Sequence, residues 1–177
     1  QQNYSQDDVT ELTVFLTKQS NKTQNSLYED IRVLLDNHTV NDVTLQAAAV
    51  FYINPIELAK HRHILRMILQ CLSSEDRVRL LHTKCRAHVY TVTLLHMIVD
   101  YDKTGETMKT VLELVREDQY YHLLSVQTST YQGTPLHWVR VNNSSAVLEV
   151  IMRLVTSEQT RYKLLQIPNS GNTPLHY

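Results

Sequence analysis

Glycine and proline are scarce in this chain of 177 residues, with three glycines and four prolines. So few glycines leave little material for the glycine-rich loops that cradle phosphates. Neither a Gly-x-Ser-x-Gly elbow nor a phosphate-binding loop nor a His-Glu-x-x-His pair occurs, so no catalytic motif is present and the chain reads as a non-enzyme. Cysteine is as rare: two residues, Cys71 and Cys85, are too few for a disulfide framework and suit buried free thiols in a reducing compartment. No charge of one sign dominates. The formal net charge is −1 and the isoelectric point about 6.8, so no overall field draws the chain to nucleic acid or to acidic membranes. No apolar run approaches the roughly 18 residues of a membrane span, and Gln1-Gln2-Asn3 opens no signal-peptide pattern. Asn-x-Ser/Thr sequons at Asn21, Asn37, Asn142 and Asn143 are incidental in such a sequence.

What the chain does contain is repetition. Thr134-Pro135-Leu136-His137 returns 39 residues later as Thr173-Pro174-Leu175-His176, with Gly133 and Gly171 just upstream. Self-similarity at such a period is the mark of stacked units. The tetrapeptide also has a local logic. Proline suits the first helical position, where its missing N–H costs nothing. Threonine before it is placed as an N-cap, accepting a backbone N–H of the first turn. Histidine three residues on takes the place of a capping-box Glu or Gln. Two weaker copies extend the ladder towards the N-terminus: Thr93-Leu94-Leu95-His96, and Asn54-Pro55-Ile56-Glu57 with asparagine as cap.

These residues resemble the signature of the ankyrin-repeat family, Gly-x-Thr-Pro-Leu-His at the start of a two-helix unit. Gly171 to His176 match it in full, whereas Gly133 stands one place later than the pattern asks. The resemblance covers residues 51–177 and implies an all-α solenoid of stacked helix-turn-helix units, about 54–92, 93–133 and 134–172, with a further unit opening at 173. A HEAT-like α-solenoid is the alternative, since those repeats also run to about 40 residues.

Apolar stripes of helical period predict a second helix in each unit. They comprise Ile64, Ile68, Cys71 and Leu72, then Met108, Val111, Leu112 and Val115, then Val147, Ile151, Leu154 and Val155. A third, short helix is predicted where a small polar cap and acidic first turn lead to paired leucines: Ser73 to Leu81, Glu117 to Leu124 and Ser157 to Leu165. Residues 1–50 lack the motif but keep helical patterning around Val9–Leu16 and Leu27–Leu35, and read as a degenerate capping unit. A helix-opening motif directly before Tyr177 leads us to expect further chain beyond it.

His82-x-x-Cys85-x-x-His88 has ligand-like spacing, but structural zinc needs four converging ligands and we expect no metal or other cofactor. Tyr120, Tyr121, Tyr131 and Trp138 could stack on bases, yet Lys and Arg are dispersed and nucleic acid is not expected as a partner. The family resemblance implies an intracellular, cytoplasmic or nuclear scaffold that binds a protein through its concave face and loop tips. Those tips fall near 129–132 and 169–172. The residues after each motif histidine, Met97, Trp138 and Tyr177, with Leu58 equivalent, are expected to line the groove, with Tyr131 at a tip. A monomer is expected. The alternative function is a regulatory or targeting segment of a larger enzyme, receptor or channel.

Overall fold

The computed structural model describes residues 59–60, 62–71, 73–87, 90–129, 131–141 and 143–176. The predicted N-terminal cap at 1–50 and the Asn54 motif lie outside the described residues. Within them the chain is helix-rich, and one antiparallel hairpin is added to the all-α expectation.

The elements are α1 (Arg62–Cys71), α2 (Ser74–His82), β1 (Cys85–Ala87), β2 (Tyr90–Val92), α3 (Leu94–Tyr101), α4 (Glu106–Glu113), a 3-10 turn (Glu117–Gln119) running into α5 (Tyr120–Leu124), α6 (Pro135–Val141), α7 (Ser145–Leu154), α8 (Glu158–Leu165) and a closing 3-10 turn (Pro174–His176). In the hairpin, Cys85 pairs with Val92 and Ala87 with Tyr90. The all-α expectation included no strand there. The run Tyr90-Thr91-Val92 carries the aromatic and β-branched residues that favour a strand, a signal too short to stand out among helical stripes.

Neighbours in space are counterparts in sequence. Helix α3 packs on α6, and α6 on the closing 3-10 turn; α4 packs on both α1 and α7; α5 packs on both α2 and α8. The core runs through all three sets. From α4 and its end it takes Met108, Val111, Leu112 and Val115, from α7 and its end Val147, Ile151 and Val155, and from the short helices Leu80, Leu81, Leu123, Leu124 and Leu164. Leu154, expected in the stripe, is half-buried. In α1 the described core residues are Leu65 and Leu69; the side chains of Ile64, Ile68, Cys71 and Leu72 lie outside the described ones. Each fully buried leucine stabilises the fold by roughly 1.5–3 kcal/mol.

Caps fix where helices start. Ser73 Oγ accepts the Asp76 N–H at 3.1 Å, and Ser157 Oγ accepts the Thr160 N–H at 3.2 Å. Buried Asp102 ends α3 and organises the next turn, accepting the N–H groups of Gly105 at 2.8 Å and Met108 at 2.9 Å. Gly105 sits at φ +78°, and a Cβ there would meet Ala146 O and Val150 Cγ2 at 2.8 Å, so this turn requires glycine on two counts. Ser144 Oγ donates to Val99 O at 2.9 Å, which ties the start of α7 to α3.

The two strong motifs differ in outcome. Leu136 is 4% exposed, whereas Leu175, also expected in the core, is 64% exposed. Leu136 belongs to α6, which packs on both α3 and α7, whereas Leu175 lies in the closing 3-10 turn, which packs on α6.

Candidate interaction surface

The motif threonines and histidines form matching pairs. The Thr93 N–H donates to His96 Nδ1 at 3.2 Å, and the Thr134 N–H to His137 Nδ1 at 3.1 Å. A backbone N–H can only donate, so Nδ1 is the bare nitrogen and Nε2 carries the proton. The hydroxyls stand 2.8 Å and 2.9 Å from the same nitrogens and donate to them. Thr93 also faces the backbone of the first turn as in a capping box, but its short contact is with the ring. At Thr93 the hydroxyl therefore serves both the capping box and the histidine ring.

Nε2–H then reaches the loop ahead of the next motif. His96 donates to Gly133 O at 3.1 Å and His137 to Asn172 O at 3.4 Å. Each acceptor is the residue immediately before the next motif threonine. Sequence reasoning placed these histidines beside their caps and missed that they bridge to the following loop. Burial holds both rings well towards the neutral form. His96 is lowered to about 4, chiefly by burial, with the Gly133 carbonyl opposing and the nearby Lys84 and His137 adding to it. His137 is lowered by burial, against the pull of the Asn172 carbonyl.

The loops these bonds support lie side by side. The Ser129 N–H donates to Thr91 O of β2 at 3.4 Å, and Gln127 Nε2 donates to Pro168 O at 2.9 Å. The next loop closes with an antiparallel bridge between Asn169 and Asn172. Gln132 and Gly171, each two residues before a motif threonine, both take positive φ, +51° and +95°. Although Ser170 at +46° has no such counterpart at Tyr131, the displaced Gly133 thus leaves the positive φ at the same place. Its own role is different: a Cβ there would sit 3.3 Å from Trp138 Nε1, so glycine lets the indole lie on the loop backbone.

Around that indole the structure gathers an aromatic cluster. Trp138 stands edge-on to His96 at 5.3 Å and to Tyr90 at 6.2 Å, and Tyr90 tilts against Tyr131 at 5.7 Å. Tyr131 is 56% exposed, while Tyr90 and Trp138 are half-buried. Two expected interface residues, Tyr131 and Trp138, are thus brought together, and Tyr90 joins them unforeseen because its strand was not anticipated. Met97 does not join them. At 3% exposed it is core, since α3 is enclosed by α2, α4 and α6; the expected surface stripe is corrected there. Leu58, Tyr177 and the side chain of His176 lie outside the described residues, and Thr173 and Pro174 are half-buried.

His88 and the side chain of Cys85, named above for their ligand-like spacing, lie outside the described residues. Among the described residues no group of three or more His, Cys, Asp or Glu could hold an ion. His82 instead stacks on His122, with ring centroids 4.2 Å apart. Among the same residues no helix is long and apolar enough to cross a membrane. Compared with known protein families, curated proteins and solved structures, the chain has no match.

Proposed function

We propose that this chain is an ankyrin-type solenoid acting as a non-catalytic, intracellular scaffold, and that the aromatic cluster of Tyr90, Tyr131 and Trp138 is where it docks a protein partner. Support for the solenoid comes from the sequence period together with the packing of each helix on its counterpart about 40 residues away. A turn plus helices per unit suits ankyrin repeats better than the all-helical HEAT unit, and the hairpin and the row of loops are of that kind. The observation that carries the docking site is Tyr131. It is a large ring more than half exposed, held at a loop tip by contact with a rigid aromatic base. Tyrosine and tryptophan are enriched at binding hot spots because they supply much area for little entropy.

Trp138 is a poor probe alone, since removing it also unpacks Tyr90, His96 and the Gly133 loop. Tyr131 is the cleaner test. A photo-crosslinking residue in place of Tyr131 in the full chain should capture the partner in cells, and its affinity can then be measured with purified protein. Tyr131→Ala should weaken binding roughly tenfold or more, in keeping with a hot-spot loss of about 2 kcal/mol, at an unchanged melting temperature. Tyr162→Ala, at another exposed tyrosine, should have no effect. Equal losses at both sites would remove the assignment of the surface.

A further inference from the structure

Helices α2 and α5 are bridged by two histidines whose rings stack face to face, His82 on α2 and His122 on α5, with centroids 4.2 Å apart and planes within 4°. Both line a groove of about 780 Å³ shared with residues of α2 and of Glu113–Gln119, and none of the aromatic cluster lines it. We propose that this stacked pair is an acid-responsive latch, which holds α2 against α5 while at most one ring is charged and releases them when both are.

The charges that face the pair favour this behaviour. From α2 come Glu75, Arg77 and Arg79; from α4 and the segment after it, Glu113 and Arg116; α3 and α8, which also pack against these helices, give the groove wall nothing. Lys84 adds a further cation beside His82. Three of the cations are already engaged. Arg77 donates to the carbonyls of Leu69, Gln70 and Leu114, Arg79 pairs with Glu75 and Asp76, and Arg116 pairs with Asp118. Glu113 is the groove carboxylate left to offset an arriving proton. Burial, then His122, then Lys84 all press His82 towards the neutral form. Two imidazolium rings 4.2 Å apart repel each other, and a repulsion above about one pK unit splits the titration of such a pair into two macroscopic steps.

Imidazole proton shifts followed by NMR on the full chain between pH 7.5 and 4.5, together with amide exchange corrected for intrinsic rates, test the latch. His82 and His122 should titrate in two coupled steps. Through the second step, amides of Ser74–His82 and Tyr120–Leu124 should exchange roughly tenfold faster relative to those of Met108–Leu112. That internal reference separates a local release from acid unfolding through the buried motif histidines. His122→Gln and His82→Gln, both at positions not fully buried, should each abolish the local change while the reference amides behave as in the wild type. Independent titration of the two rings would overturn the proposal, as would the same local acid response in both variants.

Discussion

At the scale of single residues, His96 and His137 decide how the fold responds to acid. An unfolded histidine binds its proton near pH 6.5, whereas folded His96 resists until about pH 4 because burial disfavours its charge. Between these values the unfolded chain holds more protons than the folded one, so stability falls as pH falls through that window and is fully present above it. From His96 alone the loss by pH 5 should be about 2 kcal/mol, and His137, lowered in the same direction, adds to it. Urea unfolding at pH 7.5 and pH 5 measures the difference. His96→Gln should flatten much of it, and a wild-type stability unchanged to pH 5 would show that the ring is not held neutral. The partner residue gives a second test. Thr134→Val keeps the shape but leaves His137 Nδ1 with the backbone N–H alone, so it should cost about 1 kcal/mol. A neutral effect would mean that the hydroxyl does not hold the ring.

For the elements, the contrast between Leu136 and Leu175 is the sharpest check on packing. Both stand third in the same tetrapeptide, but one is enclosed and the other exposed. Leu136→Ala should lower stability by roughly 2–5 kcal/mol through lost contact and residual cavity. Leu175→Ala should stay within about 0.5 kcal/mol, as at ordinary surface sites. Comparable losses would contradict the placement of the last turn. The stripes of α4 and α7 were legible in the sequence because an amphipathic helix writes its buried face as a local period, and Ser73 and Ser157 were legible as caps for the same local reason. What stayed hidden is non-local. Met97 looked available because its burial depends on three other helices closing round α3. Tyr90 was invisible as a site residue because its ring partners, Tyr131 and Trp138, lie 41 and 48 residues further along the chain. The bonds from His96 to Gly133 and from His137 to Asn172 join residues 37 and 35 apart, a link that no local pattern records.

Taken whole, the proposed solenoid predicts a particular pattern of opening. The described helices touch their counterparts about 40 residues away, and the histidine-to-carbonyl bonds tie α3 and α6 each to the loop before the next motif. A linear array derives its stability from each unit and its nearest-neighbour interfaces, so on this reading it can open from one part without losing the rest. The unequal burial along the chain says where. Helix α3 is buried from Leu94 to Val99 and α4 buries Thr107, Met108, Val111 and Leu112, whereas α8 buries only Leu164. Native-state amide exchange at neutral pH should therefore find α8 opening by a sub-global route, with protection at least roughly tenfold below that of α3 and α4. Leu164→Ala should widen this gap, raising exchange in α8 and in α5, on which it packs, while leaving α3 and α4 nearly unchanged. Uniform protection across these helices, lost together in Leu164→Ala, would instead mark a single cooperative core and count against the linear array on which the proposed scaffold rests.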